Sequence, residues 1–206
     1  MYDNKKFWSR NARLYECFTK SGKSAKRAYD EMEVDICAHL DHKMHVLELA
    51  AGPGIMSAKI ADTCGSLEVT DFSPKMLEEA KKKEIHGEVH FAVADATELS
   101  YEDDSFDAVV IANALHIMPN PIRALAEIKR VLKPEGILIA PTFTREHVES
   151  KLVLKLMELM GFRTYSKWSH DSFCEFIESQ GWEIIDDHVI LGHNFPITSL
   201  VCKMKK

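Results

Sequence analysis

Hydrophobic and polar positions along the middle of the chain switch between two periods. Short runs rich in aliphatic and β-branched residues occur at 45–50 (HVLELA), 67–71 (LEVTD), 88–94 (EVHFAVA), 106–113 (FDAVVIAN) and 136–143 (GILIAPTF). Between them, residues 55–64, 74–84 and 120–133 carry helical spacing. Strands apolar on both faces, alternating with helices, predict an α/β fold with a parallel sheet covered on both sides. The punctuation agrees. Asp71-Phe72-Ser73-Pro74 offers Ser73 as a cap and proline at the first helical position. Pro119 and Pro121 bracket the next helix start, and Pro134-Glu135-Gly136 ends that helix.

After residue 144 the rhythm changes. Residues 147–160 read as an amphipathic helix with Val148, Leu152, Leu156, Leu159 and Met160 on one face, stopped by Gly161. That face serves as core or cap, or else lines a hydrophobic substrate cavity. Ser169 reads as the cap of a second helix through about Gln180, with Phe173, Phe176 and Ile177 inward and Gly181 past its end. The remaining stretch holds two β-runs joined through Gly192, His193 and Asn194. No helix fits between them, so an antiparallel hairpin at a sheet edge is expected.

Composition narrows the class. The 206 residues, 46% hydrophobic and 28% charged, suit a single domain with a substantial core. The apolar runs are strand-length, so no membrane span is expected, and the lysine-bearing amino terminus lacks the apolar stretch of a secretory signal. Five scattered cysteines without a CxxC point to free thiols in a reducing cytoplasm. A net charge of −6 argues against a nucleic-acid coat. Residues 1–30 nevertheless hold eight basic side chains against three acidic ones. That leader either steers an anionic substrate or is the solvated face of a helix. His39, His42 and His45 have a metal-like look, but a spacing of three does not stack them on one helix face and His45 begins a strand, so no metal is expected.

The candidate chemistry begins at Val46–Gly54, a strand running into a glycine turn and a helix. Glycines there let a ligand approach the backbone, and the helix presents free N–H groups to the same spot. Asp71, seventeen residues beyond Gly54, ends the next strand near the spacing at which an acidic residue meets a ribose. The alternative is a helix-capping aspartate; Ser73 already offers a cap, which favours the ribose. Asp95-Ala96 follows the third strand, where Asp95 can accept from an exocyclic amine, and Phe72 and Met76 can wall a flat base. Neither G-x-G-x-x-G nor a Walker lysine is present, so these residues describe an adenosine site with no provision for a pyrophosphate.

At this point the chain resembles the class I S-adenosylmethionine-dependent methyltransferases, in particular the small-molecule group that includes ubiquinone/menaquinone C-methyltransferases. From about residue 40 onward six landmarks fall in order: Glu48 to Gly54, Val69 to Leu77, Asp95-Ala96, the stretch Leu99 to Asp107, Asn113 to His116, and Glu127 to Gly136. Phe7-Trp8, Ala12 and Tyr15 resemble the helical cap such enzymes fold over the cofactor. Two departures are modest: Ala50 replaces the first glycine, and Glu135 stands at a surface turn where the family often has glycine.

The resemblance implies a Rossmann-like seven-stranded mixed sheet of order 3-2-1-4-5-7-6 with strand 7 antiparallel. It implies one domain over 1–206, with 1–35 as the helical cap and 144–170 as a helical insertion beside the acceptor. Glu48, Ala50, Gly52 and Gly54 would lie near the methionine portion of S-adenosylmethionine. Asp71 would meet the ribose, Asp95 and Ala96 the adenine with Phe72 and Met76 as its walls, Asn113 the ammonium group, and Tyr15 the cofactor from the cap. His116, following strand 4, is the candidate general base, or else packs beside the cofactor. Tyr15, His147 and Tyr165 are weaker candidates. A small-molecule acceptor is expected, with S-adenosyl-L-homocysteine as product. An RNA or protein methyltransferase, suggested by the basic leader, is the alternative; Asn113-Ala114-Leu115-His116 stands where such enzymes often carry N/D-P-P-Y/F, which argues against an amino-group acceptor of that type. A non-catalytic binding module and a dinucleotide oxidoreductase are the remaining rivals; no Tyr-x3-Lys pair supports the latter.

Overall fold

The structure, a computed structural model, describes Asn4 and residues 22–145, 163–191 and 196–205. In chain order the elements are α1 (Lys23–Ala38), β1 (His45–Leu49), α2 (Ser57–Thr63), β2 (Ser66–Asp71), α3 (Pro74–Ala80), β3 (Glu88–Val93), β4 (Phe106–Ile111), α4 (Pro121–Val131), β5 (Leu132–Ile139), β6 (Thr142–Phe143), α5 (His170–Ser179), β7 (Trp182–Ile190) and β8 (Ile197–Met204). A 3-10 turn, Leu115–Ile117, follows β4.

The eight strands form one sheet of order β3-β2-β1-β4-β5-β8-β6, with β7 on the other side of β8. Strands β1 to β5 are parallel, and β8 runs antiparallel between β5 and β7. The short β6 continues the line of β5 past Pro141, since Ile139, Ala140 and Thr142 meet Val201, Leu200 and Thr198 in descending register. The order along the sheet is thus the expected 3-2-1-4-5-7-6, with β7 and β8 as its last two strands. One short extra strand arises because a proline interrupts the ladder.

Burial explains the strand choice. Val46, Leu47, Val109, Val110 and Leu138 are fully enclosed, because helices cover both faces of the central strands. One core packs Leu125, Ile128, Val131, Phe173, Ile177 and Trp182 against one face. The other packs Ala28, Met32, Ile36, Ile60 and Leu77 against the opposite face. Their two sets of apolar side chains are what the alternating periods of the sequence encode.

Caps and charges fix the ends. Asn120 accepts from the Arg123 N–H at the start of α4, and Ser169 and Ser172 form a reciprocal capping box on α5. Ser73 departs from expectation: it occupies the N-cap of α3, but its side chain caps no helical N–H. Arg130 ties α4 to the loop before β4, donating to Glu127, Asp103 and the carbonyls of Leu99 and Tyr101. Lys129 donates to the carbonyls of Gln180 and Gly181 at the end of α5 and lies over the Trp182 ring.

The amphipathic helix read over 147–160, and the turn at 192–194, lie outside the described residues. Ile128 sits at the centre of the α4 face with no exposed surface. Ile128→Ala should lower the unfolding free energy by about 2–5 kcal/mol. A urea titration checks this, with the midpoint falling at an unchanged slope.

Candidate functional site

Strand β1 ends in a turn whose residues adopt left-handed backbone angles: φ is 54° at Ala50, 57° at Gly52 and 70° at Gly54. Each glycine has its own reason. A Cβ placed on Gly52 would meet no atom within 4 Å, so the space before it is open to a ligand. A Cβ on Gly54 would come within 2.9 Å of the Ala80 Cβ, so that glycine allows α3 to approach the turn. Ala50 holds the same backbone region at the steric cost of its methyl group.

Asp71 holds this turn in place. One carboxylate oxygen accepts from the Gly52 N–H at 2.9 Å and the other from the Ser73 N–H at 2.8 Å. The reading that left capping to Ser73 is therefore corrected: Asp71 itself organises the turn into α3, because its short side chain reaches two backbone donors at once. Each oxygen retains a second lone pair.

Behind the turn, Glu48 accepts from the Ser57 hydroxyl at 2.6 Å. Glu48 is 2% and Asp71 4% exposed. Burial pushes the Glu48 carboxyl up to about 8, opposed by the Ser57 hydrogen bond and reinforced by the Asp71 charge. Burial pushes Asp71 up to about 6, against the pull of its two backbone donors. Neither carboxylate pairs with a cation among the described residues.

A cleft at this edge brings together Glu48, Ala50, Gly52 and Asn113 of the expected set. Its apolar wall comes from Tyr29 and Met32 of α1 and from Ile55 and Met56. Those four were not singled out from the sequence; the only signal was the i, i+3 spacing of Tyr29 and Met32, which reads as ordinary core. Asn113 has φ 52°, and its N–H is taken by the Pro141 carbonyl at 2.7 Å. Its side-chain Oδ1, by contrast, is buried without a hydrogen-bond partner among the described residues.

Gly54, Asp71, Phe72, Met76, Asp95, Ala96 and His116 do not line this cleft. Phe72 is half-buried, while Met76 is buried in the body of the protein rather than standing as an open wall. Asp95 is exposed at the end of β3, and one of its oxygens accepts from both the N–H and the hydroxyl of Thr97. Ala96 is buried beside it.

His116 lies in the 3-10 turn after β4, 7% exposed and edge-on to Phe143. Burial, aided by the Arg145 charge, pulls its imidazole down to about 3, so it is neutral and weakly basic near pH 7. Its carbonyl accepts from the N–H groups of Tyr165 and Ser166. Tyr165 is exposed. Tyr15 and His147 lie outside the described residues. Of the three spaced histidines, His39 faces Asp35 and Asp186, His42 is exposed, and His45 opens β1 with its ring on the Ser105 carbonyl.

Comparison with known proteins agrees with this geometry. A family model described as a methyltransferase domain matches residues 47–140. The chain is 42% identical over 101 residues to a demethylmenaquinone methyltransferase of Clavibacter sepedonicus, a stretch covering 48% of this chain and 41% of that protein. It is 38% identical over 111 residues to a ubiquinone/menaquinone biosynthesis C-methyltransferase of Rickettsia massiliae, covering 49% of this chain and 45% of that protein. The chain thus matches less than half the length of these curated relatives.

Two solved structures share the fold. A SAM-dependent methyltransferase of Thermotoga maritima superposes with TM-score 0.76 at 18% identity, covering 98% of this chain and 99% of that one. A Burkholderia thailandensis 1,6-didemethyltoxoflavin-N1-methyltransferase, solved with its acceptor and S-adenosylhomocysteine, superposes with TM-score 0.74 at 14% identity over 98% of this chain and 88% of that one. Residues 47–140, just under half of the chain, thus match a methyltransferase domain, and the fold is the one these two solved methyltransferases share.

The turn itself can be probed in both directions. Ala50→Gly relieves the left-handed strain and should raise stability by up to about 1 kcal/mol, whereas Gly54→Ala adds strain and a steric clash and should lower it by about 1–3 kcal/mol. Chemical denaturation of the two variants beside the parent checks the opposite signs.

Proposed function

We propose that this chain is an S-adenosylmethionine-dependent methyltransferase acting on a small-molecule acceptor. The observation that carries the proposal is the pair of buried carboxylates, Glu48 and Asp71, set around an open glycine turn with no cation to neutralise them among the described residues. A cationic ligand is what such a site lacks.

The residues present fit this cofactor. In the proposed assignment the Glu48 side and the Gly52 opening take the methionine portion, and the orphaned Asn113 Oδ1 accepts from the ammonium group. Asp71 meets the ribose with the lone pairs its backbone donors leave over. Asp95 and Ala96 border the adenine, with Phe72 as the exposed part of the wall and Met76 supporting it from beneath. Tyr15, outside the described residues, keeps only the role toward the cofactor that the resemblance implies.

When bound, S-adenosylmethionine supplies a methyl group on a sulfonium, whose departure leaves a neutral thioether, S-adenosylhomocysteine. The chain's task is then to align the acceptor and exclude water. Residues 1–35 and 144–170 are proposed to frame the acceptor. Three contacts support this: Tyr29 and Met32 line the cleft, Asn4 donates its side-chain N–H to the carbonyls of Ile117 and Arg163, and Tyr165 and Ser166 dock on His116. His116 is assigned to holding that acceptor-side segment, since its weak basicity suits a strut better than a base.

The named relatives act in menaquinone and ubiquinone biosynthesis, which suggests a quinone-like ring as the first acceptor class to test. Free Cys37, Cys64, Cys174 and Cys202 accord with a cytoplasmic setting. No helix among the described residues is long and apolar enough to cross a membrane.

Titration calorimetry with S-adenosylmethionine, run in buffers of different ionisation enthalpy, tests the carboxylate pair. A cation beside Glu48 favours its ionised form, so binding near pH 7 should release protons and affinity should rise as pH is raised from 6 to 8. Glu48→Gln should flatten that dependence. Affinity indifferent to both pH and the substitution would remove Glu48 from the site. A radiolabelled methyl screen then separates acceptors: transfer to RNA or protein alone rejects the small-molecule assignment, and binding without any transfer marks a non-catalytic module. Independently, His116→Asn should leave the pH–rate profile above pH 5 unchanged. Loss of a limb near neutrality would restore His116 as a base.

A further inference from the structure

We propose that His170, Cys174 and Asp187 form a binding site for a divalent transition-metal ion of borderline softness, zinc being the best fit. The site lies where α5 packs on β7, apart from the glycine turn, and does not depend on the methyl-transfer assignment.

His170 and Cys174 are one helical turn apart on α5, so their side chains share a face. Asp187 approaches that face from β7. The Asp187 Oδ2 is 3.2 Å from His170 Nε2, and the Cys174 Sγ is 3.8 Å from the same nitrogen. All three donor atoms lie within 4.8 Å of one another. In a tetrahedral zinc centre with ordinary Zn–N, Zn–O and Zn–S lengths, neighbouring donors stand about 3.4–3.6 Å apart. An ion therefore enters the triangle with only small side-chain movement.

The supports are rigid. The capping box of Ser169 and Ser172 fixes the first turn of α5, where His170 stands. Buried Phe173 and Ile177 hold the rest of the helix on the sheet. Asp187 is fixed by the pairing of β7 with β8, opposite Leu200. Ligands carried on regular elements keep their geometry better than ligands on loops.

The donor chemistry selects the ion. One imidazole, one thiol and one carboxylate suit zinc and its neighbours in the first transition row, whereas calcium and magnesium prefer all-oxygen shells. Asp171 and Glu178, on the same helix, add negative potential around the sulfur. The Asp187 side chain is half exposed, which leaves a fourth position to water. On binding, the thiol gives its proton to solvent and the ion takes the sulfur lone pair. Such a centre would staple α5 to the terminal hairpin. It was not legible in the sequence because Asp187 is thirteen residues beyond Cys174 and belongs to a strand.

Titrating the metal-free full chain with cobalt(II) tests the proposal. The expected result is one equivalent bound, with a near-ultraviolet thiolate-to-cobalt charge-transfer band and the visible bands of a tetrahedral ion, displaced by zinc. Cys174→Ser should abolish the charge-transfer band, while His170→Gln and Asp187→Asn should weaken binding at least tenfold. Cys37→Ser and Cys202→Ser should leave the spectrum intact. Zinc should raise the melting temperature of the parent and not that of His170→Gln, a readout that stands even where Cys174→Ser folds poorly. Absence of the band in the parent, or its survival in Cys174→Ser, would overturn the assignment.

Discussion

The two hydrogen bonds received by Asp71 are the constraint on which the carboxyl edge of this sheet depends. They join the first strand's turn to the entry of the next helix through a single buried carboxylate. Backbone donors that turn inward must be satisfied, and here the Asp71 carboxylate satisfies two of them. The sheet supplies the rest of the frame: β1 and β2 run in parallel register, and the Ala51 N–H reaches the Thr70 carbonyl at 2.9 Å. The turn is therefore built as part of the sheet and not hung from it. That rigidity is what lets glycine positions leave open space without collapsing into it.

Around this fixed turn, charge is deliberately unbalanced. Glu48 lies so deep that its carboxyl is held near the top of its accessible range, and the neighbouring Asp71 adds to the repulsion. A site made only for fold stability would more economically hold apolar side chains at both positions. The unmatched acidity among the described residues, an orphaned amide oxygen on Asn113 and an apolar wall from α1 suit a ligand that brings both positive charge and apolar surface. The proposed assignment also asks one carboxylate to serve structure and recognition together. Asp71 uses one lone pair of each oxygen inward and keeps the others.

Much of this was legible in the residues. The glycine turn, the acidic end of β2 and the alternating strand and helix periods carried the fold class, because each is dictated by local stereochemistry or by burial on both faces, whereas the strand order came from the family resemblance. Gly52 fell on the cleft for the same stereochemical reason, while Glu48, Ala50 and Asn113 were placed there by the resemblance. The walls did not show. Tyr29, Met32, Ile55 and Met56 are apolar residues at helical or turn spacing, and nothing in such a pattern separates a side chain facing a cleft from one facing the core. Ser73 misled because cap identity is read from residue type, while the actual bonding depends on which oxygen is nearer. Met76 is buried rather than standing as an open wall, since residue type shows that a side chain is apolar but not how deep it lies. The basicity of His116 is likewise a property of its enclosure, invisible until Phe143 and the segment at 163–166 are placed around it.

The reversed direction of β8 has a practical bearing on handling the molecule. Because Ile137 pairs with Lys203 and Ile139 with Val201, β8 descends toward the end of the sheet where the parallel strands begin. Lys205 donates its N–H to the Gly181 carbonyl on that same side. A tether attached there leaves from the pole opposite the glycine turn. Immobilised through that point, the molecule would present the edge that carries the glycine turn outward to flowing solution.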